Sequence, residues 1–115
     1  MDRPRRVKLM TDYYCFPLWD EGPEKIGEID PDTLPLKAKT RRRLTRWQEA
    51  YDRTLNKSNP AESGFSTQQD AVVFEEEGRA IWKLVCEELG SDWEVSFFSV
   101  VLGKLFPPSA MDHAQ

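Results

Sequence analysis

Apolar and polar residues alternate along the start of the chain. Val7, Leu9, Thr11 and Tyr13 fall on one side, with Lys8, Met10, Asp12 and Tyr14 on the other. A period of two predicts a β-strand, and bulky groups on both sides place it more than half inside the protein. Pro17 lacks the N–H that a ladder needs and stops regular pairing. Phe16-Pro17 is a candidate cis bond, although trans is the common form. Leu18-Trp19-Asp20 and Ile26-Gly27-Glu28-Ile29 flank Glu21-Gly22-Pro23-Glu24-Lys25, the pattern of a loose hairpin.

The period then changes. Leu36, Thr40, Leu44, Trp47, Tyr51 and Leu55 recur at helical spacing and predict a helix over Leu36–Leu55, entered at Pro35 and ended before Pro60. Lys39, Arg42, Arg46 and Arg53 fall on its opposite face. After the polar stretch Asn56–Phe65, Ser66-Thr67-Gln68-Gln69 reads as a capping box opening a second helix over Thr67–Leu89. Its core stripe is Phe74, Gly78, Ile81, Val85 and Leu89, with Gly90 as the C-terminal stop. Gly78 in mid-stripe costs about 1 kcal/mol against Ala, which suggests a close approach of another backbone. Trp93, Val95, Phe97 and Ser99 alternate with Glu94, Ser96, Phe98 and Val100, giving a second long strand. The run Val100–Phe106 either continues it or packs over an edge.

The order is strand, hairpin, helix, helix, strand. It predicts an α/β (α+β) two-layer sandwich, a small mixed sheet packed against an antiparallel two-helix hairpin. The two-helix connection permits a parallel pairing of the first and last strands. A single domain is expected over residues 1–108, with residues 109–115 as a flexible tail. The 115 residues, 39% of them apolar, with four Trp, six Phe and three Tyr, suffice for one core. No run of 18 apolar residues occurs, and the basic N-terminus lacks the apolar core of a signal peptide. A cytoplasmic location is the expectation, with Cys15 and Cys86 as free thiols rather than a disulfide.

The chemistry-bearing residues are few. His113 is the single histidine and lies in the expected tail, which argues against Ser-His-Asp, Cys-His and His-rich metal sites. The six glycines are isolated, so there is no phosphate loop, and no cofactor is expected. Between Asp12 and Asp32 stand seven acids against one Lys. Turn and cap duty is their plainest role; an acidic docking patch for a basic partner is the next. The aromatic set Tyr13, Tyr14, Phe16 and Trp19 reads first as core and rim, and second as the lining of a pocket. The first helix is basic and the second acidic, which suits cross-pairing in a helical hairpin. The net charge of −4 argues against nucleic acid as the default partner, although Arg42, Arg43 and Arg46 keep that alternative open.

Four stretches carry a resemblance: KLMTDYYCFPLWDEG (Lys8–Gly22), EIDPDTLPL (Glu28–Leu36), TLNKSNPAESGF (Thr54–Phe65) and EEEGRAIWKLVCEELG (Glu75–Gly90). In them the chain resembles a group of small bacterial proteins with no assigned chemistry. Some look like the antitoxin partners of bacterial toxin–immunity systems. The C-terminal run Val100–Phe106 is longer and more apolar than that resemblance implies. The reading that follows is a non-enzymatic interaction protein of immunity type, docking a basic partner such as a toxin domain. Trp19, Asp20, Glu21, Glu28 and Asp30 are its expected contacts, with Trp19 as aromatic anchor. A small-ligand or divalent-metal enzyme using Asp12, Tyr14, Asp30 and Asn56 is the alternative. The apolar edge around Val95–Phe106 further suggests a homodimer.

Overall fold

A computed structural model describes residues 4–23 and 27–111. The tip of the predicted hairpin, Glu24–Ile26, and His113 lie outside the described residues. Strands β1 (Arg5–Leu9), β2 (Leu18–Asp20), β3 (Trp93–Ser99) and β4 (Lys104–Phe106) form one sheet in the order β2-β1-β3-β4. The helices are α1 (Ala38–Asp52) and α2 (Gln68–Leu89). β1 and β3 are parallel, as the two-helix connection permits, and both outer pairs are antiparallel. The predicted two-layer arrangement of a mixed sheet and a helical hairpin is observed.

Pairing brings Val7 beside Val95 and Leu9 beside Phe97, all buried. Alternation puts these four on one face, where Leu44, Trp47, Phe74, Ile81 and Val85 of the helices complete the core. The Trp82 indole donates to the Val95 carbonyl at 2.7 Å and fixes α2 on the central strand.

Several boundaries move, each for a local reason. β1 ends at Leu9 rather than running to Tyr13, because the chain reverses between Met10 and Pro17 and returns antiparallel as β2. Met10 N–H donates to the Pro17 carbonyl at 2.9 Å across that reversal. Among the described residues no peptide bond is cis. The expected hairpin of β2 with the Gly27–Ile29 stretch survives as one bridge, Trp19 to Glu28. The cap of α2 is Thr67, whose hydroxyl accepts from Asp70 N–H, so the capping signal lies one residue after Ser66. Val100–Gly103 turns back and Lys104–Phe106 pairs with β3, so β3 is internal and the sheet edge expected around Val95 is the three-residue β4. Beyond it, Pro108–Ala110 forms a 3₁₀ turn and Met111 enters the core.

The helices are antiparallel and clasped at the end away from their connecting loop. Lys37, which precedes α1, supplies no side-chain cap. Glu88 of α2 does so instead, accepting from Lys37 N–H at 2.8 Å and from the Thr40 hydroxyl at 2.5 Å. A carboxylate at a helix start also meets the positive end of the dipole. The predicted charge pairing between helices reduces to a two-bond fork from Arg43 to Glu77, at 2.9 and 2.7 Å.

Gly78 does give close approach, but to a side chain rather than a backbone. A Cβ there would stand 2.6 Å from Trp47 Cζ2 and 3.1 Å from Phe97 Cε1. Gly78→Ala therefore overpacks the core, which costs about 1–3 kcal/mol and outweighs the gain in helix propensity of about 1 kcal/mol. A lower urea midpoint with an unchanged slope is the expected result.

Candidate functional site

The reversal between β1 and β2 is pinned from several sides. The Asp12 carboxylate accepts from Tyr13 N–H at 2.8 Å, and the Asp12 carbonyl accepts from Cys15 N–H at 3.2 Å. Tyr14 is the one non-glycine residue with positive φ among the described residues, at 59°. For such a residue the left-handed region costs about 1–2 kcal/mol. Tyr14 N–H is donated to Asp52 Oδ1 at 2.8 Å, and the Gln48 amide donates to the same oxygen and to the Asp12 carbonyl. Phe16 N–H goes to Glu28 Oε1 at 2.6 Å. Tyr13 stacks on Tyr51 at 4.4 Å and bonds Thr54 through its hydroxyl.

A backbone held this firmly presents two side chains outward. Tyr14 is 63% exposed and Phe16 43%, an unusual position for rings mounted on a fixed turn. Backbone strain that the surroundings hold in place is a mark of functional segments. Beneath the rings lies a cleft of about 360 Å³, bounded on one side by the Glu28–Asp32 turn and on the other by a flank of α1. Glu28, Asp30, Asp32, Glu49 and Asp52 give it five carboxylates against Arg41, which pairs with Asp32 at 3.5 Å. The buried Gln48 side chain also lines the cleft, and its carbonyl oxygen has no hydrogen-bond partner.

The local field follows from those charges. The Cys15 thiol in the cleft is pushed above its usual range, by burial first and then by Glu28, Asp12 and Asp52. Such a thiol stays protonated and is a poor nucleophile. Burial and the neighbouring Tyr13 push the Tyr51 hydroxyl up to about 12. Both cysteines are free thiols, and burial raises Cys86 to about 11. Among the described residues, no group of three His, Cys, Asp or Glu side chains could hold a metal ion. The five carboxylates give the cleft a negative field.

The five contacts expected from sequence divide. Glu28 and Asp30 line the cleft, and Asp30 also caps the Pro31–Thr33 turn. Trp19 is half-buried on the sheet face away from the helices, with its indole bonded to the Met10 carbonyl at 2.9 Å. That bond occupies its N–H and fixes the ring's orientation. Asp20 is engaged with Gly22 N–H, and Glu21 pairs with Lys8 in a separate hollow beside Arg6 and Glu94. Of the alternative set, Tyr14 and Asp30 reach the cleft. Asp12 is spent on its own turn, and Asn56 closes its loop by accepting from Ser58 and Asn59 N–H at 3.0 Å each.

Sequence reasoning missed Gln48, Glu49 and Asp52 as site residues. The available signal was that Glu49 and Asp52 are the only acids in an otherwise basic helix. Of the basic trio on that helix, Arg43 is held by Glu77, while Arg42 and Arg46 are exposed.

No curated protein matches this chain. A family model described as Serratia CdiI immunity protein-like matches residues 5–100. The matched stretch runs from the start of β1 to the end of β3 and includes both helices and the whole cleft. It leaves out β4, where the C-terminal run already departed from the resemblance. The chain belongs to the Serratia CdiI immunity protein-like family.

Proposed function

We propose that the protein neutralises a toxin domain in the cytoplasm by docking the cleft under Tyr14 and Phe16 onto a basic surface of that toxin. The observation that carries this is the pair of outward-facing rings fixed above five carboxylates. Rings on a rigid backbone supply contact area at small entropic cost, and the acids supply steering and register. The surrounding acids favour an Arg or Lys side chain as the inserted group. Membership of an immunity family supports a protein partner over a substrate. No described helix is long and apolar enough to cross a membrane.

The test uses the cognate toxin domain, with affinity measured by calorimetry at low and high salt. Binding weakens as salt rises if the cleft carries the contact. Tyr14→Gly removes the ring and relaxes the positive φ, so its stability stays within about 1 kcal/mol of the parent. Its affinity falls roughly 30-fold, the loss of one aromatic hot spot. Parental affinity in this variant would sink the proposed anchor. Self-association belongs to the other sheet edge, where Leu102 and Leu105 are exposed beside and along β4. Light scattering that returns the 13.4 kDa monomer mass would dispose of it.

A further inference from the structure

A second depression, of about 580 Å³, opens between the C-terminal half of α1, the loop before α2 and the first turns of α2. Its floor is aromatic: Phe74 stacks on Trp47 at 5.0 Å and meets Phe65 at the same distance. Val73, 53% exposed, stands at its rim. Arg46 and Arg53 also stand there, and among the described residues neither forms an ion pair. Of the two acids in the lining, Glu77 is neutralised by the Arg43 fork and Asp70 sits in the first turn of α2.

This depression continues into the cleft. A shallow hollow joins them: Tyr14 and Asp52 border it and the cleft, while Arg53 borders it and the groove. One extended partner could therefore lie across the end of α1, meeting negative charge on one side and positive charge on the other. We infer that the groove receives an acidic segment of the toxin bearing an apolar side chain. The apolar group seats on Phe65 and Val73, over the buried Trp47 and Phe74, while its flanking carboxylates meet Arg46 and Arg53. Charge complementarity selects this occupant: the accessible apolar rim provides the contact, and two uncommitted guanidinium groups offer paired donors to carboxylates. The inference rests on the toxin-docking reading and extends it to a partner whose contact surface carries both signs.

The experiment compares three forms of the full chain against the same toxin domain: the parent, Glu49→Lys in the cleft, and Arg46→Glu with Arg53→Glu in the groove. All three charged residues changed are exposed, and melting curves check that each variant is folded. The inference expects at least a tenfold loss of affinity in the groove variant. It also expects partial recovery when one acidic residue of the toxin segment is reversed to Lys. Parental affinity in the groove variant beside weakened binding by Glu49→Lys overturns the inference and leaves the cleft reading standing. Parental affinity in both variants, or no complex at all, overturns both. If the groove variant with parental toxin affinity loses a thermal shift given by benzoate, the groove belongs to a small aromatic anion and the inference falls.

Discussion

Trp47→Ala is expected to remove about 3–5 kcal/mol of stability, the range for truncating a large buried aromatic side chain. Trp47 is 3% exposed and ties α1 to α2 and β3. Its ring stacks on Phe74 and lies 6.3 Å from Phe97, and the space left by Gly78 is filled by that same ring. Its indole N–H is donated to the Phe74 carbonyl at 3.0 Å inside α2. Alanine would leave a cavity shared by both helices and β3. A small domain has only about 5–15 kcal/mol in total, so the variant should be near the limit of folding at room temperature. Urea unfolding followed by far-ultraviolet circular dichroism measures it. Trp47→Phe keeps most of the buried area but forfeits the hydrogen bond, so its midpoint should fall between the two. A loss below about 1 kcal/mol for the alanine form would mean the core closes around the gap.

Neutralising the cleft without disturbing its geometry should weaken toxin binding about 100-fold, or roughly 3 kcal/mol. The variant is Glu28→Gln with Glu49→Gln and Asp52→Asn. Each replacement retains a carbonyl oxygen, so the bonds from Phe16 N–H to residue 28 and from Tyr14 N–H to residue 52 can persist. The loss then reports charge rather than turn structure. Most of it should appear in the association rate, which loses both its magnitude at low salt and its salt dependence. Stopped-flow association at several ionic strengths measures this. An unchanged rate would assign binding to the rings alone.

The fold was legible wherever the hydrophobic period was unambiguous. The stripes through Leu44–Trp47 and Phe74–Leu89 located both helices, and the parallel pairing of β1 with β3 is one that the two-helix connection permitted. Where a period fails, the competing force is a turn. Tyr13 and Tyr14 continue the alternation of β1, yet Asp12, Gln48, Asp52 and Glu28 hold them in a reversal whose partners lie 38 residues away in one case and 12 in another. No local window contains that information. The site was half legible for the same reason. Glu28 and Asp30 sit in an acid-rich stretch that composition alone singles out, whereas Glu49 and Asp52 become site residues only when α1 folds against that turn. The sequence shows Trp19 beside acids but not that the Met10 carbonyl takes its N–H, a contact that only the reversal creates.

The order β2-β1-β3-β4 places the reversal that carries Tyr14 next to one margin of the sheet and the C-terminal hairpin at the opposite margin. The family match stops at residue 100, just before that hairpin. β1 and β3 thus stand between β4 and the turn that carries Tyr14. A partner docked on the Tyr14 margin, as proposed, would leave the β4 margin of the sheet uncovered.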